Sequence, residues 1–553
     1  MRNSTELTAY WTPWPTAGAI LVAAVYLIFA GTMPVSLLMY QGYDDGLFIK
    51  LASNIAQGHW LGPYDQFTLV KGPGYPLFLA LNSFTGIPIN ISEAGVYLGS
   101  CIIFSYISSK LFNNRKWIFF LVIICLLLCP SLYISKGRIT REFFYASISL
   151  ATIALWVNIL ICNHRNIVIF QSILSGTFLF IYWITREEAV WIIPSMIVIA
   201  IYAFVQSNAS GWRKLLEPAL ANATIALLSA VIFTGVVKSV NFAMYGSPDI
   251  VEMTNTDFQR AMRQLQRVGA LYDRAYLPVP KEAREKIYAV SASFASLHEY
   301  LEGRPNAATC KLLPETCGDI AGGWFMWALR DAAAKAGYHA SAESAAKFYR
   351  AVAEEISSAC REGRLVCASY MLPLIPHVTR QQWDLVPDRM IRSIRLLYYA
   401  PSFTIQPPPS VTNPQDAMAL ATLNFPVLVA VDGRGISSKQ RLAIYELWKD
   451  VIYLSAEIMT YTIPTSIVIF IFLFVLDRER LNNPIYYVLL GLMFGVLSRV
   501  SIMIIVDISS FPAIYYPRFT TTNLMAGAAA ILAVAQGIVL LGNRWQKTRA
   551  QAG

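Results

Sequence analysis

Charged residues are scarce in this sequence: only 14% of the 553 residues are Asp, Glu, Lys or Arg, against roughly 25% in an average soluble domain. Hydrophobic residues make up 56% of the chain, which is more apolar surface than a soluble fold can hide from water. A lipid bilayer accommodates such surface. The composition therefore excludes an ordinary soluble protein and predicts an α-helical polytopic membrane protein.

Histidine is also rare, and no internal repeat is evident among the 553 residues. The five histidines are scattered, so none of them indicates a clustered metal site. The formal net charge is +10, but much of the basic charge lies in short loops beside apolar segments. That placement is typical of membrane orientation or of anionic lipid, so we expect no nucleic-acid partner.

Ten apolar segments are each close to the ~20 residues that a helix needs to cross a bilayer. They are residues 16–38, 90–112, 117–135, 143–162, 166–184, 189–206, 215–238, 453–476, 484–506 and 519–542. The first segment is longer than the core of a signal peptide and lacks a clear cleavage site. We therefore expect it to be a span rather than a removable signal.

Basic residues mark one side of the membrane, because they follow the even-numbered segments and recur in the last residues of the chain. They are Arg115, Lys116, His164, Arg165, Arg213, Lys214, Arg478, Arg480, Arg544, Lys547 and Arg549. By the positive-inside rule these loops and both termini are cytoplasmic. We expect a multi-pass protein of a bacterial inner (cytoplasmic) membrane.

The opposite side receives the first outer loop, three short links and one long stretch. These are residues 39–89, 136–142, 185–188, 507–518 and 239–452. The long stretch predicts a mainly α extracytoplasmic (periplasmic) domain inserted between the seventh and eighth spans. It separates a transmembrane module, residues 1–238, from the C-terminal spans and tail, residues 453–553.

Apolar periodicity inside this domain predicts helices around Pro280–Leu301, Gly322–Ala336 and Ser341–Glu362. The run Pro407–Pro409 is typical of an extended linker. Four of the eight cysteines also lie in the domain, as Cys310/Cys317 and Cys360/Cys367, and each pair closes a short loop of the same spacing. Outside the cytoplasm this favours two disulfides, although four cysteines allow three pairings and free or metal-bound thiols are the alternative.

Two adjacent carboxylates, Asp44 and Asp45, follow the first span. Like charges this close raise the pKa of one group unless a cation or metal relieves them, which is one way to prepare a base or a metal ligand. Leu47, Leu51 and Ile55 then recur at helical spacing, which predicts an amphipathic helix along the membrane interface. The alternative role of the acidic pair is to cap that helix.

The ordered features of this loop resemble the GT-C superfamily of integral-membrane glycosyltransferases, the group with protein O-mannosyltransferases and the lipid A aminoarabinose transferase. Asp44-Asp45-Gly-Leu-Phe48 matches the acidic pair in the first outer loop of that superfamily. Ala56-Gln-Gly58 matches the end of the helix that follows, and the segment from Lys71 to Leu77 looks like its Lys/Pro segment. The position of the soluble domain departs from the pattern, since many GT-C enzymes place it after the last span.

The resemblance implies that a sugar passes, with inversion, from a polyprenyl-phosphate donor to a hydroxyl acceptor on a glycolipid, polysaccharide or protein. It implies that Asp44 is the base and that Asp45 is an orienting group or a metal ligand. The residues that would contact the donor phosphate are Lys71, Arg138, Arg141, Arg186 and Arg518. Glu142 would pair with an arginine or, together with Asp45, hold a divalent metal ion.

Each assignment has a simpler alternative. Lys71 could snorkel to the interface, and the cluster from Lys136 to Glu142 could anchor the fourth span. Arg186 could pair with its glutamate neighbours, and Arg518 could belong to an aromatic belt. The tryptophans Trp324 and Trp327 could line a carbohydrate site or pack within a helix.

Two other functions compete with glycosyl transfer. A lipid or oligosaccharide transporter or flippase predicts charged residues near the centre of the membrane and repeated halves, whereas these spans hold one such charge, Arg499. A non-catalytic envelope-assembly protein predicts an acidic pair that only caps its helix.

Overall fold

The computed structural model describes residues 13–33, 35, 44–130, 133, 137–162, 166–210, 213–303, 307–398, 439–477 and 480–552. Within these ranges the chain is helical and contains no β-strand. The predicted linker Pro407–Pro409 and the predicted interfacial residue Lys136 lie outside the described residues.

The apolar part of the molecule contains the following helices, numbered along the chain. They are α1 Pro13–Thr32, α2 Asp44–Ala56, α3 Gly74–Ser83, α4 Ile89–Leu111, α5 Lys116–Leu127, α6 Arg141–Val157, α7 Ile169–Thr185, α8 Ile193–Ser210, α9 Arg213–Tyr245, α19 Lys439–Leu476, α20 Pro484–Ser509 and α21 Thr520–Ala552. A 3₁₀ turn, Ala189–Ile192, leads into α8, and another, Tyr516–Phe519, leads into α21.

Among the described residues, seven helical stretches are long and apolar enough to cross a membrane, which agrees with the prediction of a helical membrane protein. They are Ile89–Leu111, Arg141–Cys162, Ala189–Gln206, Glu217–Tyr245, Leu442–Val475, Pro484–Ser509 and Tyr516–Gln546. The other three predicted spans fall on shorter apolar helices, Ala17–Thr32, Lys116–Leu127 and Ile169–Thr185. Ten crossings therefore remain a prediction.

Two of the long apolar helices turn most of their surface away from the protein. Only 17% of the apolar window in Glu217–Tyr245 and 22% of that in Leu442–Val475 is buried. Val231 and Val468, for example, are about two-thirds exposed. Continuous apolar surface of this kind is unfavourable in water and matches the acyl chains of a bilayer.

The span Arg141–Cys162 lies at the centre of the bundle, and its apolar window is entirely buried. It packs against α4, α7 and α21. The helix is regular to Val157 and continues as a short π-helix, Asn158–Cys162. Because it is surrounded along its whole length, this helix holds its two polar ends at fixed positions on opposite sides of the bundle.

The inserted domain has a separate hydrophobic core, formed by residues between Phe258 and Leu365. Its helices are α10 Thr256–Gly269, α11 Lys281–Tyr288, α12 Ala292–Ala295, α13 His298–Glu302, α14 Ala307–Leu312, α15 Gly322–Lys335, α16 Ala342–Arg361, α17 Arg380–Trp383 and α18 Val386–Tyr398. The helices predicted around Gly322–Ala336 and Ser341–Glu362 are confirmed. The two disulfides are also confirmed, as Cys310–Cys317 and Cys360–Cys367.

The segment Pro280–Leu301 differs from its helical pattern, because it forms three short helices instead of one. Ser291 has an extended backbone, and its hydroxyl accepts a hydrogen bond from the amide of Phe294. That side chain caps a new helix and so interrupts the first one. Apolar periodicity is compatible both with one continuous helix and with consecutive short helices, so it did not distinguish them.

The last helices of the domain pack on the membrane bundle rather than on the domain's own core. Val386, Leu396 and Leu397 contact the bundle core. Arg389 Nε lies 2.8 Å from a carboxylate oxygen of Asp507 at the end of α20. The predicted boundaries at 238/239 and 452/453 also fall inside α9 and α19, because both helices extend past them.

The crossing of α7 and α9 depends on Gly176, and we expect Gly176→Ala to destabilise the bundle. A Cβ at this position would lie 2.2 Å from the carbonyl oxygen of Ala226 and 2.8 Å from Cβ of Ser229. Overpacking of this kind costs about 1–3 kcal/mol, so the thermal midpoint of the detergent-purified protein should fall. The control is Gly99→Ala on α4, where a Cβ meets no atom within 4 Å. Equal midpoints for the two variants would contradict the close crossing.

Candidate active site

The acidic pair begins α2, as its first two residues. The helix runs from Asp44 to Ala56 and buries Phe48, Leu51 and Ala52, which confirms the predicted helix; its position along the membrane interface stays a prediction. Acidic groups in a first helical turn interact favourably with the helix dipole. Their ion-pair partners, however, come from distant segments of the chain, so the pair does more than stabilise its own helix.

Asp45 is fully buried, and Arg138 neutralises it. The guanidinium binds both carboxylate oxygens: Nε donates to Oδ2 at 3.2 Å, and Nη2 donates to Oδ1. Arg138 keeps about a third of its side chain exposed. A forked pair of this kind fixes the orientation of the carboxylate, which suits a positioning group better than one that exchanges a proton with substrate.

Asp44 is the accessible member of the pair, with 44% of its side chain exposed. Its Oδ1 lies 3.5 Å from Nζ of Lys71, whose side chain is only 15% exposed. The same ammonium lies 5.5 Å from the ring centroid of Trp327 in the inserted domain. The first outer loop therefore brings together a reachable carboxylate and a largely buried cation.

The backbone beside Lys71 packs directly on the link between α7 and α8. A Cβ at Gly72 would lie 2.1 Å from the carbonyl oxygen of Ile184, so only glycine permits this approach. The amide of Gly72 also donates to Glu187 Oε1 at 3.4 Å. The glycine after Lys71 thus holds the first loop against the glutamates of the link.

Arg141, at the start of α6, is buried and binds this link. Its Nη1 donates to the carbonyl oxygen of Thr185 and to Glu187 Oε1, both at 2.9 Å, and its Nη2 donates to Glu187 Oε2 at 2.8 Å. The guanidinium lies 5.7 Å from the ring centroid of Phe48. Arg141 consequently connects α2, α6 and the link.

Arg186 forms the second arginine pair of the link and is 8% exposed. Nη1 lies 3.2 Å from Glu142 Oε1, and Nη2 lies 2.7 Å from Glu188 Oε1. The predicted pairing of Arg186 with a glutamate neighbour therefore exists, but it extends to Glu142 on α6. A pair between Arg186 and Glu188 alone would not have joined the end of α7 to α6.

The link carboxylates are held in their ionised form. Burial would raise the pKa values of Glu187 and Glu188, but the charge of Arg141 on the first and of Arg186 on the second outweighs it and lowers both. Burial would likewise lower the pKa of Arg186, and the charges of Glu188 and Glu142 raise it above its ordinary value instead. These groups stay charged at neutral pH.

Arg518 lies at the entrance to α21 among aromatic side chains. Its Nε donates to the hydroxyl of Tyr515 at 2.8 Å, and its guanidinium lies 4.6 Å from the ring centroid of Phe511. It forms no ion pair with any residue in the described ranges. The aromatic surroundings agree with the alternative role of Arg518 as an interfacial anchor. Its contact with a donor phosphate stays a prediction.

Arg499 also belongs to this region. The sequence showed it only as an isolated charge in an apolar span. It is 1% exposed, and its guanidinium lies 5.6 Å and 5.5 Å from the ring centroids of Tyr145 and Trp191. Its Nε and Nη1 have no hydrogen-bond partner among the described residues. A buried arginine without a carboxylate is costly inside a membrane protein and is therefore a functional candidate.

Helix α15 of the inserted domain lies across the same region. Trp324 contacts Phe511 with ring centroids 5.7 Å apart, and Trp327 contacts Lys71. Arg330 donates to the carbonyl oxygen of Gln66 and pairs with Glu252 at 2.6 Å. The tryptophans therefore join the domain to the first outer loop and to the last link, a contact that the sequence did not predict.

The carboxylates predicted as metal ligands, Asp45 and Glu142, are each engaged by an arginine. Within the described part of the chain no three His, Cys, Asp or Glu side chains form a group that could hold a metal ion. The residues present thus do not fit a metal centre at the acidic pair. What the structure does bring together is Asp44, Asp45, Lys71, Arg138, Arg141, Glu142 and Arg186.

No protein-family description matches this sequence, and no curated protein matches it. The chemistry of the site therefore has to be argued from the geometry of these residues.

Breaking the pair between Arg141 and Glu187 should destabilise the protein strongly. Glu187→Gln leaves a guanidinium of 5% exposure without its carboxylate, and removal of one partner of a buried pair costs about 3 kcal/mol or more. The measurement is the thermal midpoint of the purified protein in detergent. Combining Glu187→Gln with Arg141→Met should recover much of the loss, because no unpaired buried charge remains.

Glu343→Gln is the matched control, since Glu343 pairs with Lys347 on an exposed helical surface. Exposed pairs contribute little, so its midpoint should equal that of the parent protein. Similar midpoints for Glu187→Gln and Glu343→Gln would show that the Arg141 pair does not hold the site together.

Proposed function

We propose that this protein is an integral-membrane glycosyltransferase of the GT-C type. It transfers a sugar from a polyprenyl-phosphate donor to a hydroxyl acceptor at the outer face of a bacterial cytoplasmic membrane. The observation that supports this best is the contrast within the acidic pair. Asp45 is buried and fixed by Arg138, whereas Asp44 is exposed and has a cation, Lys71, at 3.5 Å.

The reaction would use the exposed carboxylate of Asp44 and the neighbouring ammonium of Lys71. The acceptor oxygen attacks the anomeric carbon of the donor sugar, and its proton passes to the carboxylate of Asp44. The bond between that carbon and the phosphate oxygen breaks, and its electron pair leaves with the polyprenyl phosphate. Lys71 stabilises the charge that develops on the leaving phosphate. Displacement from the face opposite the phosphate inverts the configuration at the anomeric carbon.

Positive charge beside this position supports a phosphate-bearing donor. Arg518 has aromatic contacts but no carboxylate partner in the described ranges, and Arg499 is likewise unpaired by carboxylates there. The terminal nitrogens of Arg141 and Arg186 are paired with glutamates, so the role of these arginines in this proposal is to position the link. The cations offered to the donor are thus Lys71 and Arg518, with Arg138 partly exposed next to them.

The proposed topology has ten crossings with both termini in the cytoplasm. It places Asp44, Lys71, Arg138 and Arg518 on the outer side, together with the domain 239–452 and its two disulfides. An oxidising compartment suits those disulfides. The sugar and acceptor classes are a polyprenyl-linked sugar and the hydroxyl of a glycolipid, polysaccharide or protein.

A lipid or oligosaccharide flippase is the second candidate, and Arg499 is the observation that favours it. A buried arginine within a span is typical of transport pathways. A flippase would move the donor lipid without releasing its sugar, so a transfer assay separates the two functions.

Asp44→Asn should abolish sugar transfer while the fold is retained. A general base contributes about 100-fold or more to the rate, and the amide cannot accept the acceptor's proton. The assay follows radiolabelled sugar from a panel of polyprenyl-phosphate donors, with the reconstituted protein and an envelope extract as the source of acceptors. The thermal midpoint of the variant should match that of the parent protein.

Asp65→Asn is the matched control, because Asp65 lies in the same loop and has a lysine partner, Lys50, at 2.9 Å. It should transfer sugar at the parental rate. Full activity of Asp44→Asn would refute the assigned base, and absence of transfer by the parent protein with every donor would refute the glycosyltransferase itself.

A further inference from the structure

A cavity beside the described helices lies at the far end of the bundle from the acidic pair. Its volume is about 650 Å³, within the range of small-molecule sites. The buried span Arg141–Cys162 connects the two regions: Arg141 belongs to the arginine–glutamate cluster, and Cys162 lines the cavity. At ~1.5 Å per residue its 22 residues cover roughly 30 Å, so this cavity is separate from the proposed active site.

The described residues that line the cavity include two cations. Lys110 donates to Oδ1 of Asn158 at 3.2 Å, and its ammonium lies 5.2 Å from the ring centroid of Tyr106. Arg115 forms no ion pair with any residue in the described ranges. Among the described residues of the lining, the one carboxylate is Asp477, which accepts a hydrogen bond from the hydroxyl of Tyr486 at 2.9 Å. Positive charge therefore exceeds negative charge among these described residues.

Side-chain amides supply most of the other polar groups. Asn113 and Asn114 come from the turn after α4, Asn482 and Asn483 from the turn before α20, and Gln536 from α21. Asn113 and Asn114 both have positive φ, near 57° and 59°, a conformation that asparagine tolerates better than most residues. Amides both donate and accept hydrogen bonds, which suits a ligand with hydroxyl groups as well as a phosphate.

Apart from Tyr202 and Asn543, the remaining described lining is apolar. Ile161, Val539 and Leu540 contribute to the same cavity as the polar turns. A ligand that fills this space thus meets amides and cations at one part and aliphatic side chains at another. That combination fits an amphipathic molecule better than a small soluble anion.

We propose that this cavity binds the phosphodiester headgroup of an anionic glycerophospholipid. Arg115 and Lys110 hold the phosphate, the asparagines bind the hydroxyl groups of the headgroup, and the aliphatic residues contact the first carbons of the acyl chains. The basic loops of this end match the membrane surface at which anionic lipids attract arginine and lysine. The inference does not depend on glycosyl transfer at the other end of the bundle.

The test is native mass spectrometry of the full chain in detergent, titrated with phosphatidylglycerol. Diacylglycerol, which lacks the phosphate, should not bind at the same concentrations. Arg115→Gln should weaken phosphatidylglycerol binding about tenfold, since the loss of one charge-assisted hydrogen bond corresponds to that factor. Arg544→Gln is the matched control, because Arg544 is an exposed arginine of the last helix and does not line the cavity.

A soluble glycerol phosphate distinguishes the source of the headgroup. If it competes with phosphatidylglycerol for the Arg115-dependent site, the site recognises the headgroup alone. If it does not compete, the acyl contacts are required for binding. Either result supports phospholipid binding in the cavity. Equal weakening by Arg115→Gln and Arg544→Gln, unchanged binding in Arg115→Gln, or equal binding of diacylglycerol would overturn the proposal. Sugar transfer by Arg115→Gln is measured in parallel. It shows whether a loss of lipid binding is separate from a loss of activity at the proposed active site.

Discussion

The neutralisation of buried charge at one end of the helical bundle is the constraint on which the rest of the structure depends. Asp45 is fully buried and Arg141 nearly so, and neither could remain charged there without a partner. Arg138 and Glu187 supply those partners. Because the partners come from different loops, satisfying the charges also fixes how α2, α6 and the link between α7 and α8 fit together. The inserted domain adds to this arrangement through Trp327, which faces Lys71.

The central span Arg141–Cys162 separates two polar regions that differ in how their charges are paired. At its first residue, arginines and glutamates pair closely and leave Asp44 as the exposed carboxylate. At its last residue, amides and two cations surround a cavity of about 650 Å³. Between them the helix is entirely buried, while α9 and α19 present apolar surface outward. In the two proposals, the first region acts on a charged donor and the second binds a membrane lipid at the far surface.

Sequence patterns predicted the local features of this molecule well. Apolar periodicity located α2, α15 and α16, and cysteine spacing predicted both disulfides. Such features depend on residues close together in the chain. The partners of the acidic pair do not: Arg138 is 93 residues from Asp45, and no local pattern specifies that contact. The same limit explains why the position of α15 and the surroundings of Arg499 emerged only from the packed structure.

The central claim is that the first outer loop presents Asp44 and Lys71 to a lipid-linked sugar phosphate. The most direct measurement is a cryo-EM structure of the full chain in nanodiscs with a polyprenyl-phosphate sugar donor. The account predicts donor phosphate density within about 4 Å of the Lys71 ammonium, the usual limit for an ion pair, with the sugar beside the carboxylate of Asp44. A donor bound elsewhere, with Asp44 facing acyl chains and no ligand density near Lys71, would contradict it.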